Sequence, residues 1–170
     1  MAVACGLAVL TLNGTAFSQL TATQDFTVTV PQAISVVSPG AASLNHDLSA
    51  NPQSFAAQTW VVRGNSTTGV TVNFGVSDVF VHTVNATYRR DVQLALAAGA
   101  TQGPATWTIT APSDVTALGT GDLDATVSAA SDDVGRADME LTVTFITGDL
   151  GTLLEGDYLT TVTGTVAANP

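Results

Sequence analysis

Apolar and polar residues alternate with a period of two along most of the chain, the pattern of half-buried strands. In QDFTVTV, Phe26, Val28 and Val30 point one way and Asp25, Thr27 and Thr29 the other. Pro31 breaks this run before PQAISVV. QTWVVRG runs into a Gly64-Asn65 turn signal, and GVTVNFGVSD places Val70, Val72, Phe74 and Val76 on one face. VFVHT reads as a short continuation after a bulge. Val92, Leu94 and Leu96 align in DVQLALA, as do Trp107 and Ile109 in ATWTIT. DATVSAA and RADMELTVTFIT flank Ser131–Gly135, read as a hairpin turn; in the second run Met139, Leu141, Val143 and Phe145 alternate with Asp138, Glu140, Thr142 and Thr144. The closing DYLTTVTGTVA puts Tyr158, Thr160, Val162 and Val166 on one face and is expected to be an interior strand. SPGAASLNHDLSANPQSF reads as a loop with one helical turn near Leu44.

The pattern predicts about nine strands with turn signals at roughly the spacing of sandwich folds. The expected fold is all-β, an antiparallel two-sheet immunoglobulin-like sandwich, with a closed β-barrel as the alternative. No fixed-period repeat suggests a solenoid or propeller.

The opening MAVACGLAVLTLNGTAFSQ departs from this pattern. An apolar run from Ala2 to Leu12 is followed by small residues at Ala16 and Ser18, the order of a signal peptide cleaved before Gln19. The positive start of such a segment is missing, and a retained hydrophobic first strand is the competing reading. Residues 1–18 are therefore expected to be removed, leaving 19–170 as a single β-sandwich domain. Cys5, the one cysteine, lies in the removed segment, so the exported chain is expected to have no thiol, which suits a bacterial cell surface or extracellular location. It is also expected to have no membrane span and to use no C-terminal anchor.

Charge narrows the partners. The chain carries four Arg, no Lys and fourteen acids, for a formal net charge of −10. That leaves no basic footprint for a nucleic acid or an anionic membrane. Without Lys, no Lys–Asn isopeptide crosslink forms, so any polymer is noncovalent.

Chemistry-bearing motifs are sparse. His46 lies in a polar loop, read as solvated; His82, in a strand, is read as facing solvent or an edge; and no G-x-S-x-G elbow accompanies them. The pairs Asp122/Asp124 and Asp132/Asp133 lie in turn-like sequence that does not promise the burial a catalytic acid needs. GTGDLDA and SDDVGRAD supply oxygens that suit Ca²⁺, so Asp122, Asp124, Asp132 and Asp133 are the candidate ligands of a structural ion, although neither stretch has the spacing of a calcium-binding loop. Trp60, Trp107, Tyr88 and Tyr158 could stack on sugars, but the two Trp sit in apolar alternation and read first as core. Asn65-Ser66-Thr67 and Asn85-Ala86-Thr87 are glycosylation sequons.

The early QDFTVTVPQAISVV and the closing LEGDYLTTVTGTVAANP, in which Gly156, Asp157 and Tyr158 form a G-x-Y step, resemble secreted bacterial pilin-like and spore-coat-U-like β-sandwich surface subunits. The cysteines usual in many such subunits are absent. The resemblance implies a structural or adhesive protein with no catalytic residues. The expected function is thus a noncatalytic extracellular subunit whose partners are copies of itself, joined by β-strand exchange or edge pairing into a fibre or surface coat. Phe26, Val28 and Val30 would be the inserted side chains. A carbohydrate- or surface-binding module is the alternative.

Overall fold

Alternating runs become strands wherever a second run lies alongside to complete the backbone hydrogen bonds. The computed structural model describes residues 20–170, so residues 1–18, expected to be a signal peptide, and Cys5 among them lie outside the described residues. In chain order the strands are β1 (Ile34–Val37), β2 (Gln53–Ser54), β3 (Gln58–Gly64), β4 (Val70–Val76), β5 (Phe80–His82), β6 (Arg89–Arg90), β7 (Val92–Gln102), β8 (Trp107–Ala111), β9 (Ser113–Val115), β10 (Ala125–Ser131), β11 (Gly135–Phe145), β12 (Tyr158–Leu159) and β13 (Thr163–Ala168). Two single 3-10 turns, Leu118–Thr120 and Leu150–Thr152, are the only helical pieces among the described residues. No helix there is long and apolar enough to cross a membrane.

All pairings are antiparallel. One sheet has the order β1-β3-β11-β7-β9, with β2 added to β11; the second has the order β13-β4-β10-β8; a small third sheet, β12-β5-β6, shares no strand pairing with either but packs Phe80 and Tyr158 against Phe145. Among the described residues every sheet keeps open edges, and the fold is a β-sandwich with no closed barrel. Its core forms where the inward residues of the two large sheets meet: Val70, Val72 and Phe74 of β4 and Val127 and Ala129 of β10 against Val62 of β3, Val92 and Leu94 of β7 and Ala137, Met139 and Leu141 of β11, all essentially inaccessible. The alternation in β4 and β7 thus gives the buried face correctly, and in β11 it does so for Met139, Leu141 and Phe145, while Thr144 is buried and Val143 partly accessible.

Four expectations are corrected. Ser131–Gly135 is not a hairpin turn: β10 pairs with β4 and β8, whereas β11 pairs with β2, β3 and β7, so the turn carries the chain from one sheet to the other. The closing run is not an interior strand. It breaks between β12 and β13, and β13 is an edge whose sole pairing partner is β4. No helical turn forms near Leu44. Finally, QDFTVTV forms no strand.

That segment belongs to a separate unit. The chain divides into Met1–Val30 and Pro31–Pro170. In the described part of the first unit, residues 20–30 have neither strand nor helix, and Phe26, Val28 and Val30 are 84%, 86% and 75% exposed. Alternation alone does not hold a strand; a ladder partner must satisfy its N–H and C=O groups. The second unit begins at a fixed point, because Asn65 grips Pro31 and Ala33: its Nδ2 donates to Pro31 O (2.9 Å) and its Oδ1 accepts from Ala33 N (2.6 Å). The first sequon asparagine therefore serves as a clip on the backbone.

Candidate functional site

Both histidines hold loops, with both ring nitrogens engaged. The fully buried Thr147 donates its hydroxyl hydrogen to Asn51 O (2.7 Å), so His46 Nε2 donates to Thr147 Oγ1 (2.8 Å) while its Nδ1 accepts from Leu48 N (2.9 Å). His46 is half-buried, edge-on to Phe145, and pins the long loop before β2 onto the end of β11. His82 is 4% exposed, against the expectation of a solvent-facing or edge position. Its Nδ1 accepts from Val84 N and Asn85 N (both 3.1 Å), and its Nε2 therefore donates to Glu155 O (2.9 Å). Gly156 follows at φ 133°, and a Cβ there would lie 2.4 Å from His82 Nε2, so only glycine lets the chain pass the ring. The glycine of the G-x-Y step is thus a close-approach residue, and Tyr158 packs edge-on to both His82 and Phe145.

The four candidate calcium ligands are not brought together. Asp122 and Asp124 precede β10 and Asp132 and Asp133 follow it, which separates the pairs by roughly 20 Å of strand. Asp132 accepts from Thr106 N (2.7 Å) and Asp133 from Val134 N (2.7 Å), so each holds a turn. Among the described residues no group of three His, Cys, Asp or Glu is placed to bind a metal ion.

The aromatic residues separate by environment. Trp107 is half-buried, with its Nε1 covered by protein, near Gly135. Trp60 is also half-buried, tilted against Phe74 with ring centroids 5.1 Å apart. Gly164 of β13 allows this, since a Cβ there would meet Trp60 Cζ3 at 2.9 Å and Phe74 at 3.2 Å.

Trp60 forms part of an open groove of about 580 Å³ that Phe55, Phe80 and Tyr158 also line. Inward residues of the first sheet and its neighbours, Phe55, Trp60, Leu141, Val143 and Phe80, line it. One wall is Val36 with the segment Ser38–Ala42 that follows β1; the other is Tyr158–Gly164, which joins β12 to β13. The groove exists because β1 and β13, edge strands of opposite sheets, lie beside each other without hydrogen bonding. Among the described residues β13 therefore pairs on its β4 side alone, with β1 packed beside it, and its Thr163 and Gly164 border the groove. The register gives the groove a direction: Ala168 lies opposite Val70 and Thr163 opposite Gly75, so Tyr158–Thr160 lie at the end of the sandwich opposite the Gly64-Asn65 turn where the unit begins.

The groove walls were not legible as a site in the sequence. One signal was present: an isolated glycine in a strand, as at Gly164, marks close backbone approach. The chain matches no family model, no curated protein and no solved structure.

Proposed function

We propose that this protein is a noncatalytic extracellular structural subunit that polymerises noncovalently by β-strand exchange, the leading segment of one copy entering the groove of the next, to build a fibre or coat at the bacterial cell surface. The observation that carries the reading is the open apolar groove beside the edge strand β13. An exposed strand edge over apolar side chains invites a further strand, which supplies ladder hydrogen bonds and alternate side chains. The chain contains a segment of the right kind. Phe26, Val28 and Val30 are exposed and alternate in sequence with Thr27 and Thr29, so that an extended conformation would put the apolar three on one face. Phe26–Val30 extended spans roughly 13 Å, and the groove wall from Leu159 to Gly164 roughly 16 Å. Because the sandwich begins at one end and the groove opens at the other, such contacts are head-to-tail and do not close on themselves, the geometry of a filament.

Concentrating the purified protein tests this. Sedimentation velocity and electron micrographs are expected to show linear polymers that grow with concentration. A monomer throughout the millimolar range would overturn the reading.

The second reading, a carbohydrate-binding module, rests on Trp60 and Tyr158 lining the same groove while Trp60 stays partly accessible. Quenching of tryptophan fluorescence by soluble glycans, lost in Trp60→Ala, would favour it over polymerisation.

A further inference from the structure

Arg63 is the one arginine that makes neither an ion pair nor a side-chain hydrogen bond among the described residues. Arg89 pairs with Asp78, Arg136 with Asp138 (2.6 Å), and Arg90 donates to Thr152 Oγ1 (3.0 Å). It is exposed on the outer face of the first sheet and lies directly across from Arg136, a like-charge placement that costs stability. In a chain with fourteen acids and four Arg, the carboxylate diagonally across from Arg63, that of Asp138, is taken by Arg136.

Its location suggests where the carboxylate comes from. Arg63 is two residues from Asn65, and Asn65 clips Pro31 and Ala33. Arg63 thus sits at the root of the leading segment. At the groove's open end, beside the lining Tyr158 and Leu159, Glu155 and Asp157 are exposed. Their carboxylates have no partner among the described residues, whereas nearby Asp149 and Asp47 are taken up by Gly151 N and Ser49 N. The Glu155–Asp157 backbone is fixed: Glu155 O accepts from His82 and Asp157 O from Thr83 N (2.9 Å).

We infer that Arg63 of one copy pairs with Glu155 and Asp157 of the next, an electrostatic clamp at the subunit joint. This rests on the strand-exchange reading and adds the surface that meets the groove mouth. Three residues, Pro31–Ala33, separate Val30 from β1, so a Val30 seated at the mouth holds the root of its own sandwich within about 14 Å of that mouth. The surface carrying Arg63 must then face the one carrying Glu155 and Asp157. Opposite charge there orients encounter and sets the joint's register.

The experiment compares Arg63→Glu, Glu155→Arg and the double variant with wild type, following polymerisation by light scattering at low and high salt. Each single variant is expected to polymerise about tenfold more slowly at low ionic strength, to converge on wild type near 1 M salt, and to recover in the double, because a rim charge acts mainly on the association rate. A synthetic peptide of residues 20–31, which lacks Arg63, is expected to bind Arg63→Glu and wild-type grooves equally. If wild type polymerises and the single variants match it, or the double is no faster than the singles, the clamp is wrong while strand exchange stands. If wild type forms no polymer, strand exchange falls and takes the clamp with it.

Discussion

Val28→Asp perturbs the proposed joint at its centre. Val28 is 86% exposed in the subunit, so it contributes nothing to the core, and its substitution is expected to leave the melting temperature within about 1 °C of wild type. In the joint the same side chain would lie between Phe26 and Val30 against the groove floor. Burying a valine is worth about 1.5–2 kcal/mol, and bringing a carboxylate into an apolar, unpaired setting costs at least a further ~2 kcal/mol. The combined penalty of about 4 kcal/mol corresponds to a roughly thousandfold rise in the concentration needed for polymerisation. Val28→Ala, which loses burial and introduces no charge, is expected to raise it about tenfold. Sedimentation velocity over a concentration series reads both shifts, with circular dichroism confirming the fold. Polymers of Val28→Asp at the wild-type threshold, or a lowered melting temperature, would refute the reasoning: the first places the segment outside the joint, the second inside its own core.

Other outcomes follow from the same geometry. Gly164→Ala places a Cβ 2.9 Å from Trp60 Cζ3 and is expected to shift the tryptophan emission and weaken polymerisation by about 1–3 kcal/mol, since Trp60 must move into the groove. Thr147→Val strands both Asn51 O and His46 Nε2–H, and is expected to cost about 2–3 kcal/mol, seen as a melting temperature lowered by roughly 5–10 °C with polymer affinity unchanged. The hydroxyl and N–H of Ser49 hold the Asp47 carboxyl below its ordinary 3.8. Its stabilisation of the loop before β2 is therefore complete above that value and is lost as pH falls through the lower folded value. An NMR titration is expected to place the Asp47 midpoint below 3.8, returning toward it in Ser49→Ala.

The fold was legible where alternation was long and its partner strands were equally regular, as in β4 and β7, whose inward residues the period of two identifies one by one. It was misleading where the same pattern lacked a partner. QDFTVTV alternates as cleanly as β4 yet forms no strand, because pairing is a property of two segments and the sequence shows one at a time. The Ser131–Gly135 turn looks like a hairpin locally, but whether a turn reverses within a sheet or crosses between sheets depends on which distant strands its two arms pair with, here β4 and β8 for β10 and β2, β3 and β7 for β11. The groove was hidden for a similar reason. Its floor of Trp60, Leu141 and Val143 reads as ordinary core, and only the absence of hydrogen bonds between β1 and β13 leaves it uncovered. The histidines were misread because burial and the two-sided bonding of His46 and His82 depend on carbonyl and N–H groups from distant loops.

The central claim, that the leading segment pairs with the β-edge of another copy, is tested most directly by hydrogen exchange at the amides of Phe26–Val30. In dilute monomer these amides are expected to exchange at the rate of an unpaired chain, and in the polymer to become protected together with those of β13. Protection in the monomer at every concentration, or free exchange within an assembled polymer, would contradict the account.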